Sequence, residues 1–421
     1  MNNEKSKLIE ELWQKAEKAL YALYGDMPDI QILNRFYSEK IAFCETDNII
    51  IWDLVGDICN EALRLKYNVS PVARVGYSFT AYLLGASINN PLPLHYHCSS
   101  CGCTEFVDKS NALPFDIPSK TCACGGVMRP EGFDIPYEMD ISVSHAPHTS
   151  LRVSPKFLDE AKRMVFERMK NHYCVGELSN DMGYTKFVFL PRNSRTHFNE
   201  KVDVTDDRYI IFPSLTVGDN PVFEKAEKLT EKTGVDFYEI YSSNCKNYLS
   251  DEKIVREFAS GNIDGIPYFY WKEPRYNKMK DILKLVNPRS SYELLKVYSV
   301  LKSDTWVEYG ENLLLSGVCI ADIPTTKEEV FMLVRDKLGY RGAGIAYELA
   351  YKICYDKLDA NALAILSSLD LPKWFITYAK KKKFIDDKVR KVASLREALA
   401  FMWYKINYPE EFNKIIKDFG A

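Results

Sequence analysis

The sequence predicts an α+β protein: a mixed α/β first half carrying an inserted metal-binding passage, then an all-helical second half. Three features carry this expectation. Runs that alternate apolar and polar residues occur only before about residue 220. Five of the eleven cysteines (Cys98, Cys101, Cys103, Cys122 and Cys124) crowd into one stretch of 27 positions. From Val222 onward, apolar residues recur at helical spacing, with breaks at Gly261, Pro267, Pro274, Pro288, Pro324, Gly339 and Pro372.

Taken in order, residues 1–68 read as helical. "MNNEKSKLIEELWQKAEKAL" is a charged amphipathic helix, not a signal peptide, and "DLVGDICNEALRLKY" (Asp53 to Tyr67) keeps the same period. A turn-rich passage follows, "NVSPVARVGYSFTAYLL". The cysteine region is rich in Pro, Gly and Ser, which excludes regular secondary structure there. "FDIPYEMDISVSH" alternates like a strand, and "PKFLDEAKRMVFERMKN" (Pro155 to Asn171) has a helix's pattern with Pro near its start. "YTKFVFLP" and "DRYIIFPSL" are strand candidates. The expected regions are therefore 1–68, 69–220 with the knuckle at 95–126, and 221–421.

Composition narrows the class. With 421 residues, 46% apolar and 27% charged, the chain suits a soluble globular protein of two or three domains. No apolar run approaches the roughly 18 residues that span a bilayer, so a cytoplasmic protein without a membrane partner is expected. Disulfides are rare in that compartment. A net charge of −3 excludes a uniformly basic nucleic-acid binder and leaves local basic patches for any such contact.

Cys98-x-x-Cys101 and, 20 residues on, Cys122-x-Cys124 supply four thiolates at two turns. That is what a tetrahedral structural zinc site needs. Cys103, His95 or His97 could replace one of the four. The surrounding loop has no hydrophobic run to order it, which favours zinc over free thiols.

These residues also carry a family resemblance. "NNPLPLHYHCSSCGCTEF…FDIPSKTCACGG…EGFDIPYE" resembles the palm-region zinc segment of PolC-type bacterial replicative DNA polymerase III. That family reads N-P-L-P-P-H-Y-x-C-x-x-C, then F-D-L-P-x-K-x-C-x-x-C-G, then D-G-H-D-I-P-F-E. "ARVGYSFTAYL" resembles its R-G-S-V-G-S-S-F-V-A loop, and "DGIPYF" its L-G-I-P-E-F. "SYELLKVYSVLKSDTWVEYGENLL" resembles its fingers segment, and Leu371 to Phe412 its closing V-P-x-W-Y-I…F-K-V-H-Y-P passage. The resemblance covers about residues 25 to 412. It implies a palm-like region at 69–220 and a fingers-like region at 221–421. The OB, exonuclease and PHP portions of a full PolC have no counterpart here.

The same resemblance marks departures. Nucleotidyl transfer needs two metal ions clamped by aspartates, which the family supplies as P-D-I-D on a strand. Here the stretch reads Met139-Asp140-Ile141-Ser142, and serine is a poor ligand for a hard cation. Asp203, Asp206 and Asp207 are candidates for the third carboxylate by position alone. The phosphate loop survives as Arg74, Gly76 and Ser78, with Tyr77 where the family has serine. P-K-A-H-A-A-A-Y becomes Asp387 to Ser394, losing its histidine and tyrosine while Lys388 and Lys405 remain.

Two classes of function follow. One is a non-catalytic PolC-like protein that binds DNA, as primer–template or single strand, or a replisome component or host polymerase. Its size suits a regulator or inhibitor of replication, or a bacterial or phage mobile-element or defence protein. The other is a reduced nucleotidyltransferase holding Mg²⁺ at a displaced pair, Glu138 and Asp140, which share a face if they lie on a strand. The basic residues Lys380, Lys381, Lys382, Lys383, Lys388, Arg390, Lys391 and Lys405, beside Trp374, Tyr378 and Phe384, form the candidate DNA surface. Lys186, Arg192 and Arg195 add a smaller one. A protein–protein adaptor is the third possibility, marked by acidic partners to the same lysines.

Overall fold

The computed structural model describes residues 2–108, 111–141, 148–179, 184–191, 213–242, 248–269, 275–300, 310–355, 357–381 and 385–418. The chain is α+β and divides into two compact units. The first is Met1–Val107, Ser119–Ser242 and Lys414–Gly420; the second is Asp108–Pro118 and Ser243–Asn413, with Ala421.

In the first unit, α1 (Asn2–Tyr24), α2 (Ile30–Phe43) and α3 (Asn48–Arg64) precede β1 (Val69–Val72) and the short α4 (Phe79–Leu83). Leu12, Trp13, Ala16, Leu20 and Tyr24 line the buried stripe of α1. Four short strands follow: β2 (His95–Cys98), β3 (Thr104–Phe106), β4 (Lys120–Thr121) and β5 (Val127–Glu131). After α5 (Glu138–Ile141) come β6 (His148–Val153), α6 (Leu158–Met169), β7 (Tyr173–Ser179), β8 (Thr185–Pro191) and β9 (Ser214–Asp219). The helices α7 (Pro221–Thr233) and α8 (Phe237–Ser242) come next.

Five strands form a mixed sheet in the order β1-β6-β9-β8-β7, with only β6 and β9 parallel. Apolar side chains from α1, α2, α3, α4, α6 and this sheet share one core. The expected separation of 1–68 from 69–220 is therefore replaced by a single packed body. Its second boundary falls at Ser242, beyond the expected 220, because α7 and α8 bury Phe223, Leu229, Phe237 and Ile240.

From Ser243 onward the described residues are helical. Ten helices follow α8: α9 (Glu252–Ala259), α10 (Arg275–Val286), α11 (Ser291–Val300), α12 (Glu311–Leu315), α13 (Lys327–Leu338), α14 (Ala343–Cys354), α15 (Ala360–Ser368), α16 (Lys373–Lys381), α17 (Lys388–Asn407) and α18 (Pro409–Asp418). Most breaks fall where Gly and Pro predict them. Gly339 ends α13 at φ 74°, and Pro288, Pro324 and Pro372 sit in the gaps between helices.

Two local expectations are corrected. The cysteine region is a four-stranded antiparallel sheet in the order β3-β2-β5-β4; its strands, two to five residues long, are too short to show periodicity. The passage expected as one strand through Met139 turns helical over Glu138–Ile141, and the strand begins only at His148.

Candidate metal centre and the neighbouring loops

The small sheet is two hairpins laid side by side. In the first, β2 and β3 pair His95 with Phe106 and His97 with Thr104; in the second, β4 and β5 pair Thr121 with Val127. Pairing of β2 with β5, Cys98 opposite Met128, brings both hairpin turns to the same end of the sheet. The first turn is closed by Gly102 N–H donating to Cys98 O at 2.8 Å and Cys98 N–H donating to Cys103 O at 3.0 Å. The second is closed by Gly125 N–H donating to Cys122 O at 2.9 Å and Cys122 N–H donating to Gly126 O at 2.8 Å.

Cys98, Cys101, Cys122 and Cys124 thereby converge, their sulfurs all within 4.8 Å of one another. Cys98 Sγ lies 3.6 Å from Cys124 Sγ, and Cys101 Sγ 3.7 Å from Cys122 Sγ. Four sulfurs at the usual ~2.3 Å from a tetrahedral zinc would be about 3.8 Å apart. The observed edges fit that ion, so these four residues would hold it as a closed, structural site. Among the described residues no other group of three or more His, Cys, Asp or Glu side chains comes together in this way.

Backbone amides support the sulfurs. Gly126 N–H donates to Cys124 Sγ at 3.4 Å. Burial resists ionisation of Cys98, but the N–H groups of Ser100 and Cys101 and the nearby thiols outweigh it and bring its thiol down to about 6. At Cys101 the Cys103 N–H favours the thiolate, yet the thiols of Cys124, Cys122 and Cys98 together with desolvation push it up to about 12. Gly126 has no room for a side chain, since a Cβ there would lie 3.0 Å from Cys98 Sγ and 2.8 Å from Ser100 Oγ.

The alternative ligands stand outside this set. His95 is buried, its Nδ1 2.7 Å from Pro93 O and its Nε2 3.5 Å from Tyr24 Oη. His97 is buried against the Tyr24 ring, and Cys103 is exposed. The "NNPLP" and "EGFDIP" motifs strap the sheet to the unit. Phe133, Asp134 and Ile135 N–H groups donate to Asn90, Leu92 and Pro91 carbonyls at 2.9–3.0 Å.

Beside this sheet lies the loop expected to be a phosphate-loop remnant. Arg74, Gly76 and Tyr77 form one 3₁₀ turn, and Ser78 caps α4 by accepting from Ala81 N–H at 3.0 Å. A carboxylate already occupies the amide donors that follow this turn at the start of α4. Glu39 of α2, wholly buried, accepts from Ser78 Oγ at 2.8 Å, Phe79 N–H at 2.8 Å and Thr80 N–H at 3.0 Å. Arg35 neutralises it through a 2.6 Å Nε contact and directs its other donors to the Tyr77 and Ile135 carbonyls. Tyr77 is buried as well. The sequence holds a sign of this that motif reading passes over. Ile32, Phe36, Glu39 and Phe43 make up the buried stripe of α2, so the glutamate sits at a core position.

The backbone of Glu138–Ile141 is a helical turn where a strand was expected for the displaced carboxylate pair. The side chain of Asp140, and Ser142, His145, Asp203, Asp206 and Asp207, lie outside the described residues. Acidic residues on the described strands of the five-stranded sheet are Glu177 and Asp219, on the non-adjacent β7 and β9.

The basic residues of the second unit also divide. Lys380, Lys381 and Arg390 are exposed; Lys382, Lys383 and Phe384 lie outside the described residues, as do Arg192 and Arg195. Lys388 and Lys391 are buried, which corrects their place on a DNA surface. Lys391 Nζ lies 3.4 Å from Asp386 and 4.3 Å above the Tyr298 ring. Glu328, wholly buried, caps α17 by accepting from Lys388 N–H at 2.7 Å. Beside them Lys296 pairs with Glu329 at 2.7 Å and donates to Ile323 O at 2.9 Å. Lys405 donates to the Asn262 and Asp264 carbonyls, both at 3.0 Å. Tyr378 is core, its hydroxyl donating to Pro324 O, and Lys186 is buried in β8.

No protein-family model matches the chain. Among curated proteins it is 23% identical to the DNA polymerase III PolC-type of Caldanaerobacter subterraneus subsp. tengcongensis, over 96% of this chain and 33% of that protein. It is also 23% identical to the protein of the same name from Thermotoga petrophila, over 94% of this chain and 34% of the relative. The Staphylococcus aureus protein is 22% identical over 92% and 31%. The chain thus spans about a third of the length of the curated relatives it matches. Sequence similarity along nearly the whole chain, together with the α+β fold and the cysteine cluster, makes it a PolC-like relative of these DNA polymerase III PolC-type proteins.

Proposed function

We propose that the chain is a non-catalytic PolC-like protein that keeps a zinc-stapled scaffold and binds DNA through the exposed cations Lys380, Lys381 and Arg390. The observation that carries this reading is Glu39. A carboxylate held on the amides of the phosphate loop, with Tyr77 buried beside it, competes by charge and position with an incoming triphosphate. Two further features support it: Lys391 is buried against Asp386, and the stretch expected as the carboxylate-bearing strand is a helical turn over Glu138–Ile141. DNA as the ligand rests on the similarity to DNA polymerases and on those exposed cations, which suit phosphate contact. A role as regulator or inhibitor of replication, through a replisome or host polymerase, is the biological extension of the same reading.

Metal-dependent extension of a labelled primer–template, with the same DNA titrated by fluorescence anisotropy, tests it. Binding without extension is expected. The double variant Lys381→Ala/Arg390→Ala should weaken binding and lower the salt slope by about 0.7–0.9 for each phosphate that is no longer neutralised. Extension with Mg²⁺ or Mn²⁺ that disappears in Asp140→Ala would overturn the proposal and establish a nucleotidyltransferase. Absence of DNA binding would redirect the search to a protein partner.

A further inference from the structure

Three tyrosines lie in a row along α14. The helix buries Ala346, Leu349, Ala350, Ile353 and Cys354, so Tyr347, Tyr351 and Tyr355, spaced four apart, follow one another on its outer side. Tyr351 and Tyr355 are 39% and 36% exposed, and Tyr347 is half-buried. Their rings stack in series, with centroids 6.5 Å apart at 24° and 4.6 Å apart at 42°. Exposed rings in this number suit a binding surface, where tyrosine is enriched.

Cations frame the row. Lys357 Nζ lies 3.3 Å from the Tyr351 hydroxyl and 5.1 Å from its ring centroid, and Lys327 Nζ lies 4.5 Å from that of Tyr355. Exposed Arg341 precedes the row. Among the described residues, the carboxylates beside it are paired at 2.8–2.9 Å, Glu348 and Asp359 with Lys352 and Asp387 with Lys327. The charges of Lys357 and Arg341 are therefore in excess. The row also runs toward the exposed Lys381 and Arg390. Ile385 N–H donates to Cys354 O at 3.2 Å, and Lys327 bridges the Tyr355 hydroxyl and Asp387.

We infer that the tyrosine row of α14 is a stacking platform for single-stranded DNA, whose phosphates meet Arg341 and Lys357. A polyanion carrying flat rings matches both the cations and the tyrosines, whereas an acidic peptide matches only the cations. Bases of a duplex are already stacked on one another; those of a single strand turn out onto aromatic side chains. Tyr347 to Tyr355 spans about 12 Å at 1.5 Å per residue, the rise of roughly three or four nucleotides. The inference rests on the DNA-binding proposal and deepens it by naming the strand form and the rings that take it.

The test titrates labelled oligothymidylate, and a hairpin duplex with the same label, against the zinc-loaded full chain by fluorescence anisotropy. Wild type should bind the single strand at least several-fold more tightly than the duplex. Tyr351→Ala/Tyr355→Ala should weaken single-strand binding about five-fold or more and leave the salt slope unchanged, because the rings carry no charge. Tyr351→Phe/Tyr355→Phe keeps the rings and should bind like wild type. Equal affinity for both forms, or full single-strand affinity in the alanine pair, would overturn the inference and leave the DNA-binding proposal standing. Binding of neither DNA would overturn both. Capture of a proline-rich peptide by the row, with no oligothymidylate bound, would likewise overturn both and make the row a protein-docking surface.

Discussion

Gly126 and Glu39 show how much a single position decides. A methyl group at Gly126 would press on Cys98 Sγ, so Gly126→Ala should weaken zinc affinity roughly ten-fold or more, as changes around a metal's ligands do. The neighbouring Gly125 is the control. Its φ of 84° disfavours a side chain, but nothing lies within 4 Å of its Cβ position. Gly125→Ala should therefore cost about 1 kcal/mol in stability and leave zinc affinity unchanged, both read by competition titration and chemical denaturation. Glu39→Ala strips a buried carboxylate from two amides, a hydroxyl and the Arg35 guanidinium. It should lower unfolding free energy by about 3–5 kcal/mol, since Arg35 is left as an uncompensated, largely buried charge.

At the scale of elements, the second unit offers a pH test. Burial raises Glu329's carboxyl, but Lys296 and Lys388 outweigh it and hold it below the ordinary carboxylate range. A depressed folded value means its contribution is fully present above the unfolded value near 4.5, and is lost as pH falls through the folded one. Denaturation midpoints between pH 7 and pH 3 should therefore fall in wild type and fall less in Glu329→Gln. Elements also show what a sequence discloses. Helices of ten or more residues are legible because 3.6-residue periodicity needs several turns to appear, and the four ligand cysteines because their spacing is itself the signal. The strands of the small sheet are not legible, being two to five residues long and held by cross-strand pairing and turn bonds. The helical turn at Glu138–Ile141 reads as strand because four residues are too few to distinguish the two periods. The lysines of α17 look like a surface patch since sequence shows charge but not the partners that meet it, as Asp386 and the Tyr298 ring meet Lys391.

For the whole molecule, the metal is expected to stabilise one unit selectively. Chelation should lower the melting temperature of the first unit and abolish protection of the β2, β3, β4 and β5 amides in hydrogen exchange, while the helices from α9 to α17 keep theirs. The two units are also interleaved along the chain, and that has an evolutionary consequence. Residues Asp108–Pro118 leave the cysteine sheet, join the second unit and return. There Asp116 accepts from the Ser291 and Tyr292 amides at 2.5 and 3.0 Å, capping α11. A single recombination or truncation point therefore cannot hand on either unit whole. Cutting at Ser242 would deprive α11 of its cap and leave the donor fragment with an orphaned loop. The two units must be inherited together, which helps explain how similarity to the curated relatives persists along nearly the whole chain.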